Sequence, residues 1–96
     1  MLNITKKVDA DSILISLEGR LDTNTASRLE AELQDAPTAP ALVLDLEKLE
    51  YISSAGLRVF LSAQKKTRGK MKIVHVGETV MEIFEVTGFS DILDIE

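Results

Sequence analysis

The segment Asp45-Leu46-Glu47-Lys48-Leu49-Glu50-Tyr51-Ile52-Ser53-Ser54-Ala55-Gly56-Leu57 holds the residues of this chain best suited to chemistry. An apolar run ends where it begins, an amphipathic pattern starts where it ends, and two serines stand where a helix should open. A helix N-terminus carries free backbone N–H groups and a partial positive charge, so it accommodates an anion. A serine there has three uses. It can cap the helix. It can hold the loop through a local side-chain hydrogen bond. It can accept a phosphate, which the helix end stabilises while the added charge of about −2 spoils a partner surface. The residue types alone leave all three open.

Other reactive groups are poorly supported. His75 is the single histidine and the chain has no cysteine, so neither a metal site nor an acid–base role is expected at it; a surface or satisfied position on a strand is. Asp22 and Asp45 have no nucleophile–base constellation around them, which leaves Asp45 to hold the serine loop and Asp22 to face a binding surface. Glu78, Glu82 and Glu85 line one side of a helix and read as solvated. The five glycines are scattered at element ends, so no phosphate-cradling loop is present. No catalytic residue, metal or cofactor is expected.

The elements that must position the serines follow from periodicity. Leu2, Ile4 and Val8 share one parity, as in a half-buried strand that Lys6 interrupts. Asp9-Ala10-Asp11-Ser12 is turn chemistry, after which Ile13, Ile15 and Leu17 alternate with polar residues until Gly19. Two strands so closely joined predict an antiparallel hairpin. Ala26, Leu29, Leu33 and Ala36 repeat at helical spacing, with Arg28 and Glu32 as an i,i+4 pair and Pro37 and Pro40 at the exit. Asp22, Thr23, Asn24 and Thr25 are all possible N-caps.

Ala41-Leu42-Val43-Leu44-Asp45-Leu46 is the longest nearly unbroken apolar run, and predicts a central strand covered on both faces. After a short polar link, Leu57, Phe60, Leu61 and Gln64, flanked by Val59 and Ala63, describe a second helix. Lys65, Lys66 and Arg68 before Gly69 suit its C-terminus. On its outer face Arg58, Ser62 and Lys65 form either a contact stripe or a solvated face. Met71 to Val76 predicts another strand. Thr79-x-x-Glu82 reads as a capping box for a third helix with Val80, Ile83 and Phe84 inward, closed by Gly88. The tail Ile92-Leu93-Asp94-Ile95 reads as a strand or a helical turn. The order predicts a single α/β domain over residues 1–96, with a mixed sheet of four or five strands and three to four helices.

Bulk properties set outer limits. The 96 residues suit one domain, and 45% hydrophobic content supplies a modest core. A net charge of −5 argues against direct nucleic-acid binding. No apolar stretch is long enough for membrane insertion, and the start MLNITKKVDADS lacks a signal-peptide pattern, so the expected location is cytoplasmic.

Three motifs carry a family resemblance. Tyr51-Ile52-Ser53-Ser54-Ala55-Gly56-Leu57 resembles the signature loop of STAS domains, specifically the bacterial anti-sigma factor antagonists. That loop runs aromatic, aliphatic, then Asp-Ser-Ser/Thr/Ala-Gly-Leu. Gly19-Arg20-Leu21-Asp22 resembles the family's Gly-x-Leu/Ile-Asp, and Phe84-Glu85-Val86-Thr87-Gly88-Phe89 resembles its Phe-x-x-x-Gly-Leu. They fall in family order and at family spacing, and cover almost the entire chain.

The resemblance implies a STAS-like fold and partner switching. In the family, an unphosphorylated antagonist binds an anti-sigma factor that is also a serine kinase, thereby releasing a sigma factor. The kinase then phosphorylates the antagonist, and a PP2C-type phosphatase restores it. By that mapping Ser54 is the acceptor, and Asp22, Thr23, Ser53, Ser54, Gly56 and Arg58 are contact or switch positions; Ser62 and Lys65 join them as partner-binding residues where the Arg58 stripe is read as a contact face. One departure stands out: the family's Asp before the acceptor is Ser53 here. This removes repulsion against an incoming phosphate together with a group able to position the hydroxyl, and makes Ser53 a secondary acceptor. The rival readings are a constitutive STAS adaptor in a larger transport or stressosome-like assembly, and a nucleotide-binding protein.

Overall fold

The computed structural model describes residues 2–9, 12–34, 41–67 and 70–96. The turn role read for Ala10 and Asp11, the helix-exit role for Ala36, Pro37 and Pro40 and the C-terminal role for Arg68 and Gly69 fall outside the described residues. Among the described residues four strands and three helices follow one another in the order β1 (Leu2–Val8), β2 (Ile13–Leu21), α1 (Ala26–Gln34), β3 (Leu42–Ile52), α2 (Ser54–Lys66), β4 (Met71–Val74) and α3 (Glu78–Thr87), followed by a 3₁₀ turn over Phe89–Asp91. The sheet order is β1-β2-β3-β4. The expected hairpin is present, with β1 antiparallel to β2 from Leu2↔Gly19 to Val8↔Ile13. β3 runs parallel to both β2 and β4. The mixed α/β sheet and its helices are those predicted.

Its faces are not. Ile13, Ile15 and Leu17 of β2 and Leu42, Leu44 and Leu46 of β3 are buried, while their alternates Leu14, Ser16, Val43 and Asp45 are only half-buried. The apolar run from Ala41 therefore has one covered face, not two; Val43 lends it hydrophobicity without a helix above. On the covered side a single core joins the strands to Leu29, Leu57, Phe60, Val80 and Phe84. The Phe60 and Phe84 rings, 6.3 Å apart at their centroids and tilted by 56°, link α2 to α3.

The polar link expected after Leu46 is strand. β3 continues to Ile52, with register shifts between Ser16 and Glu18 and between Gly19 and Arg20 of β2. At each, β3 carries one more residue than its partner, which is a β-bulge. Leu46, Leu49 and Ile52 can thus all face the core at a spacing of three. Gly19, at φ 104°, lets β2 follow this bend and run on to Leu21 rather than stop.

Several local expectations also change. Arg28 donates to the Leu2 carbonyl at 2.9 Å, tying α1 to the sheet rather than pairing with Glu32. α2 buries Gly56, Leu57, Val59, Phe60 and Ala63, whereas Leu61 and Gln64 are half-buried; Gln64 instead donates to the Ile92 carbonyl at 2.8 Å. β4 ends at Val74, and His75 leaves it at φ 57°, so the strand does not reach Val76. α3 opens one residue before Thr79, with Gly77 as a cap that has no side-chain bond, so Thr79-x-x-Glu82 is not its capping box. Gly88 closes α3 at φ 82°, the left-handed conformation expected there. The tail Ile92–Ile95 forms neither a strand nor a helical turn: it follows the 3₁₀ turn of Phe89–Asp91, and Ile95 makes an isolated parallel bridge to Ile73. Ile73 N–H donates to the Asp94 carbonyl at 2.9 Å and Glu96 N–H to that of Ile73 at 2.8 Å, so this tail lies along the outer edge of β4.

Candidate functional site

β3 passes into α2 through one residue, Ser53. Its backbone is extended (φ −92°, ψ 173°), and its hydroxyl oxygen accepts from the Gly56 N–H at 3.3 Å, which makes it the N-cap. Its own N–H donates to the Leu21 carbonyl at 2.8 Å, while its carbonyl accepts from Leu57 N–H at 2.9 Å. Ser53 is thus stitched to the end of β2 on one side and to α2 on the other. Ser54 is the first residue of the helix and is exposed. The uses open to a serine here are divided between neighbours. Ser53 caps, and Ser54 presents its hydroxyl to solvent.

Electrostatics at this helix end suit an anion. The first turn of α2 has no acidic residue and its last turn carries Lys65 and Lys66. With Ser53 rather than a carboxylate at the cap, no acidic side chain of that turn offsets the partial positive charge of its N–H groups, of which that of Gly56 is taken by the Ser53 hydroxyl.

Leu21 pairs with Ile52, so the Ser53 hydrogen bond sets Asp22 beside the serines. The Asp22 carboxylate accepts from the N–H groups of Asn24 at 3.0 Å and Thr25 at 3.1 Å, and from the Thr25 hydroxyl at 3.2 Å. Asp22 N–H in turn donates to the Thr25 hydroxyl oxygen at 2.9 Å. Of the four possible caps, Asp22 and Thr25 therefore act reciprocally, while Thr23 is exposed. The bond from Thr25 N–H leads the interactions that hold the Asp22 carboxyl below its ordinary value of 3.8, since each favours the charged form.

Gly56 is buried, and a Cβ there would lie 2.7 Å from Leu21 Cγ and 2.9 Å from Ile52 Cγ1. It lets α2 close on the strand ends and offers no surface. Arg58 and Ser62 line a groove of about 350 Å³ between α1 and α2, floored by Ala26, Ala55 and Val59 and edged by Ser27 and Glu30. Lys65 is exposed beyond it. Ser27 and Glu30, on the α1 side of this groove, were missed in the sequence because they fit the solvated face of an ordinary amphipathic helix. A stacked pair was missed as well. The Arg20 guanidinium lies 4.5 Å from the centroid of the Tyr51 ring, its register partner. Asp45 sits within β3, seven residues before Ile52, and does not hold the serine loop.

The STAS domain family model matches residues 3–96. BtrV of Bordetella bronchiseptica, provisionally named an anti-sigma factor antagonist, is 41% identical over 91 residues, covering 88% of this chain and 78% of that protein. The anti-sigma-B factor antagonist of Listeria monocytogenes is 32% identical over 96 residues, covering 95% and 84%. The fold is shared with an anti-sigma factor antagonist from Mycobacterium paratuberculosis, whose crystal structure superposes with a TM-score of 0.88 at 23% identity, over 99% of this chain and 85% of that one. With the fold, the strand-to-helix serine pair and these likenesses in agreement, the chain belongs to the STAS domain family, among the bacterial anti-sigma factor antagonists.

Proposed function

We propose that this protein is a partner-switching regulator whose unphosphorylated form binds an anti-sigma factor that is also a serine kinase, and whose release is triggered by phosphorylation of Ser54. The observation that carries this reading is the division of labour between the two serines. Because Ser53 supplies the cap, the Ser54 hydroxyl is exposed at the helix end and beside the α1–α2 groove. In the transfer step the Ser54 oxygen attacks the γ-phosphorus of ATP held by the kinase. The hydroxyl proton passes to a base or to water, the bond to the β-phosphate oxygen breaks, and ADP leaves. The new phosphate is tolerated by the free domain, because the uncompensated helix end favours it. In a closed interface the same charge would have to be desolvated or would meet acidic neighbours, and either effect weakens the complex.

Asp22, Thr23, Ser53, Ser54, Arg58, Ser62 and Lys65 form the contact surface in this reading, with Gly56 beneath it. A PP2C-type phosphatase resets the switch, and the protein works in the bacterial cytoplasm without catalysing a reaction or using a cofactor. The test is to incubate the purified protein with its cognate kinase and ATP and map the modified residue by mass spectrometry. Phosphate on Ser54 is expected. Ser54→Asp should fold normally and bind the kinase poorly, while Ser54→Ala should bind and resist release. Phosphate on Ser53 alone would move the switch by one residue. Binding without phosphate at either serine would overturn the switch in favour of a constitutive adaptor.

A further inference from the structure

We propose that Asp45, Glu47 and His75, on the open side of the sheet, form a site for a first-row divalent transition-metal ion such as Zn²⁺, Ni²⁺ or Co²⁺. One ligand atom from each residue lies within 4.8 Å of the other two. His75 Nδ1 stands 3.2 Å from Asp45 Oδ1. Two metal–ligand bonds of about 2.0–2.2 Å span about 3.0 Å at right angles and about 3.4 Å at the tetrahedral angle, so these two atoms are already at the separation of neighbouring ligands. Glu47 is exposed, and its flexible side chain needs only a rotamer adjustment to close the third corner.

The backbone assembles the set from two adjacent strands. Asp45 pairs with Val74, the last residue of β4. The next residue, His75, takes φ 57°, and its imidazole meets Asp45 across the strands. Asp45 Oδ1 also accepts from the Glu47 N–H at 3.0 Å, which fixes the carboxylate. A recess of about 240 Å³, lined in part by Ser16, Glu18, Asp45, Glu47 and Lys48, adjoins these groups. It leaves room for water to complete the shell. An imidazole with two carboxylates suits the nitrogen-preferring metals of the first row better than Mg²⁺, which takes oxygen ligands. A bound ion would bridge His75 and Asp45 and tie the end of β4 to β3.

This site is independent of Ser54. The experiment titrates Ni²⁺ and Zn²⁺, with Mg²⁺ as contrast, into the tag-free, metal-stripped protein by calorimetry, with ¹H–¹⁵N spectra locating the shifted residues. Saturable one-to-one binding of Ni²⁺ and Zn²⁺ is expected, with changes centred on residues 45–47 and 74–76 and none with Mg²⁺. His75→Ala and Glu47→Gln, both at exposed positions, should each weaken binding by about tenfold or more. Their unfolding midpoints without metal report whether the fold is intact. Absence of saturable binding would overturn the proposal, as would unchanged affinity in both variants or equal binding of Mg²⁺.

Discussion

Ser53 and Ser54 share a residue type and adjacent positions, yet one points into the first turn of α2 and the other out of it. Composition cannot distinguish them; the one-residue passage from β3 to α2 does. Asp22 shows the same coupling of local bonding to the surface. Its carboxyl is held below 3.8 by the N–H and hydroxyl groups it accepts from, so the folded state prefers it charged. A depressed folded value contributes stability that is fully present above the unfolded value and is lost as pH falls through the folded one. Asp22→Asn keeps an acceptor but cannot titrate. The stability gap between native protein and Asp22→Asn should therefore be constant near neutrality and close in acid, below about pH 4; urea unfolding across that range measures it, and a gap independent of pH would refute the assignment. Arg58 is exposed at the groove, so Arg58→Ala should leave the unfolding midpoint within about 0.5 kcal/mol of native while weakening partner binding in a calorimetric titration.

Elements were legible wherever one period ran undisturbed. The β1–β2 hairpin, the burial of Leu42 and Leu44 in a central strand and the Leu57/Phe60 helix face all appear as the sequence implies. Legibility failed at β3 beyond Leu46, because two bulges change the spacing of inward residues from two to three and make strand read as linker. It failed again at α3, where Thr79-x-x-Glu82 matches a capping box but sits one residue inside the helix. Gly56 was read as a contact position for its place in a motif, whereas its physical role is proximity. Gly56→Ala would force a methyl against branched carbons of Leu21 and Ile52 that are buried and cannot swing away. A loss of about 1–3 kcal/mol in urea unfolding is expected, the cost of overpacking.

For the whole molecule, the sequence foretold the mixed sheet and the order of its elements, but not that the helices gather on one side. A mostly parallel sheet normally has both faces covered, and an apolar run reads as such until the second layer proves missing. The Asp45–Glu47–His75 grouping was illegible for a related reason. Its carboxylates precede the histidine by about thirty residues, and only strand pairing brings them together. Since all burial converges on one core, Leu44→Ala or Phe60→Ala should each cost roughly 2–5 kcal/mol, read from denaturant midpoints.

The tail beside β4 has a bearing on solubility. Residues 94–96 occupy hydrogen-bonding groups at Ile73 that would otherwise face solvent, so along that stretch the sheet does not invite another chain. The opposite border, β1, carries Lys6 and Lys7, whose charges discourage stacking of copies. Removing residues 94–96 would uncover the backbone of Ile73 while keeping the buried Leu93, on a strand where Lys72 is the one charged residue. A shortened protein should therefore form concentration-dependent multimers in light scattering while the intact chain does not, and it would be the poorer choice for crystallisation or for fusion to a reporter.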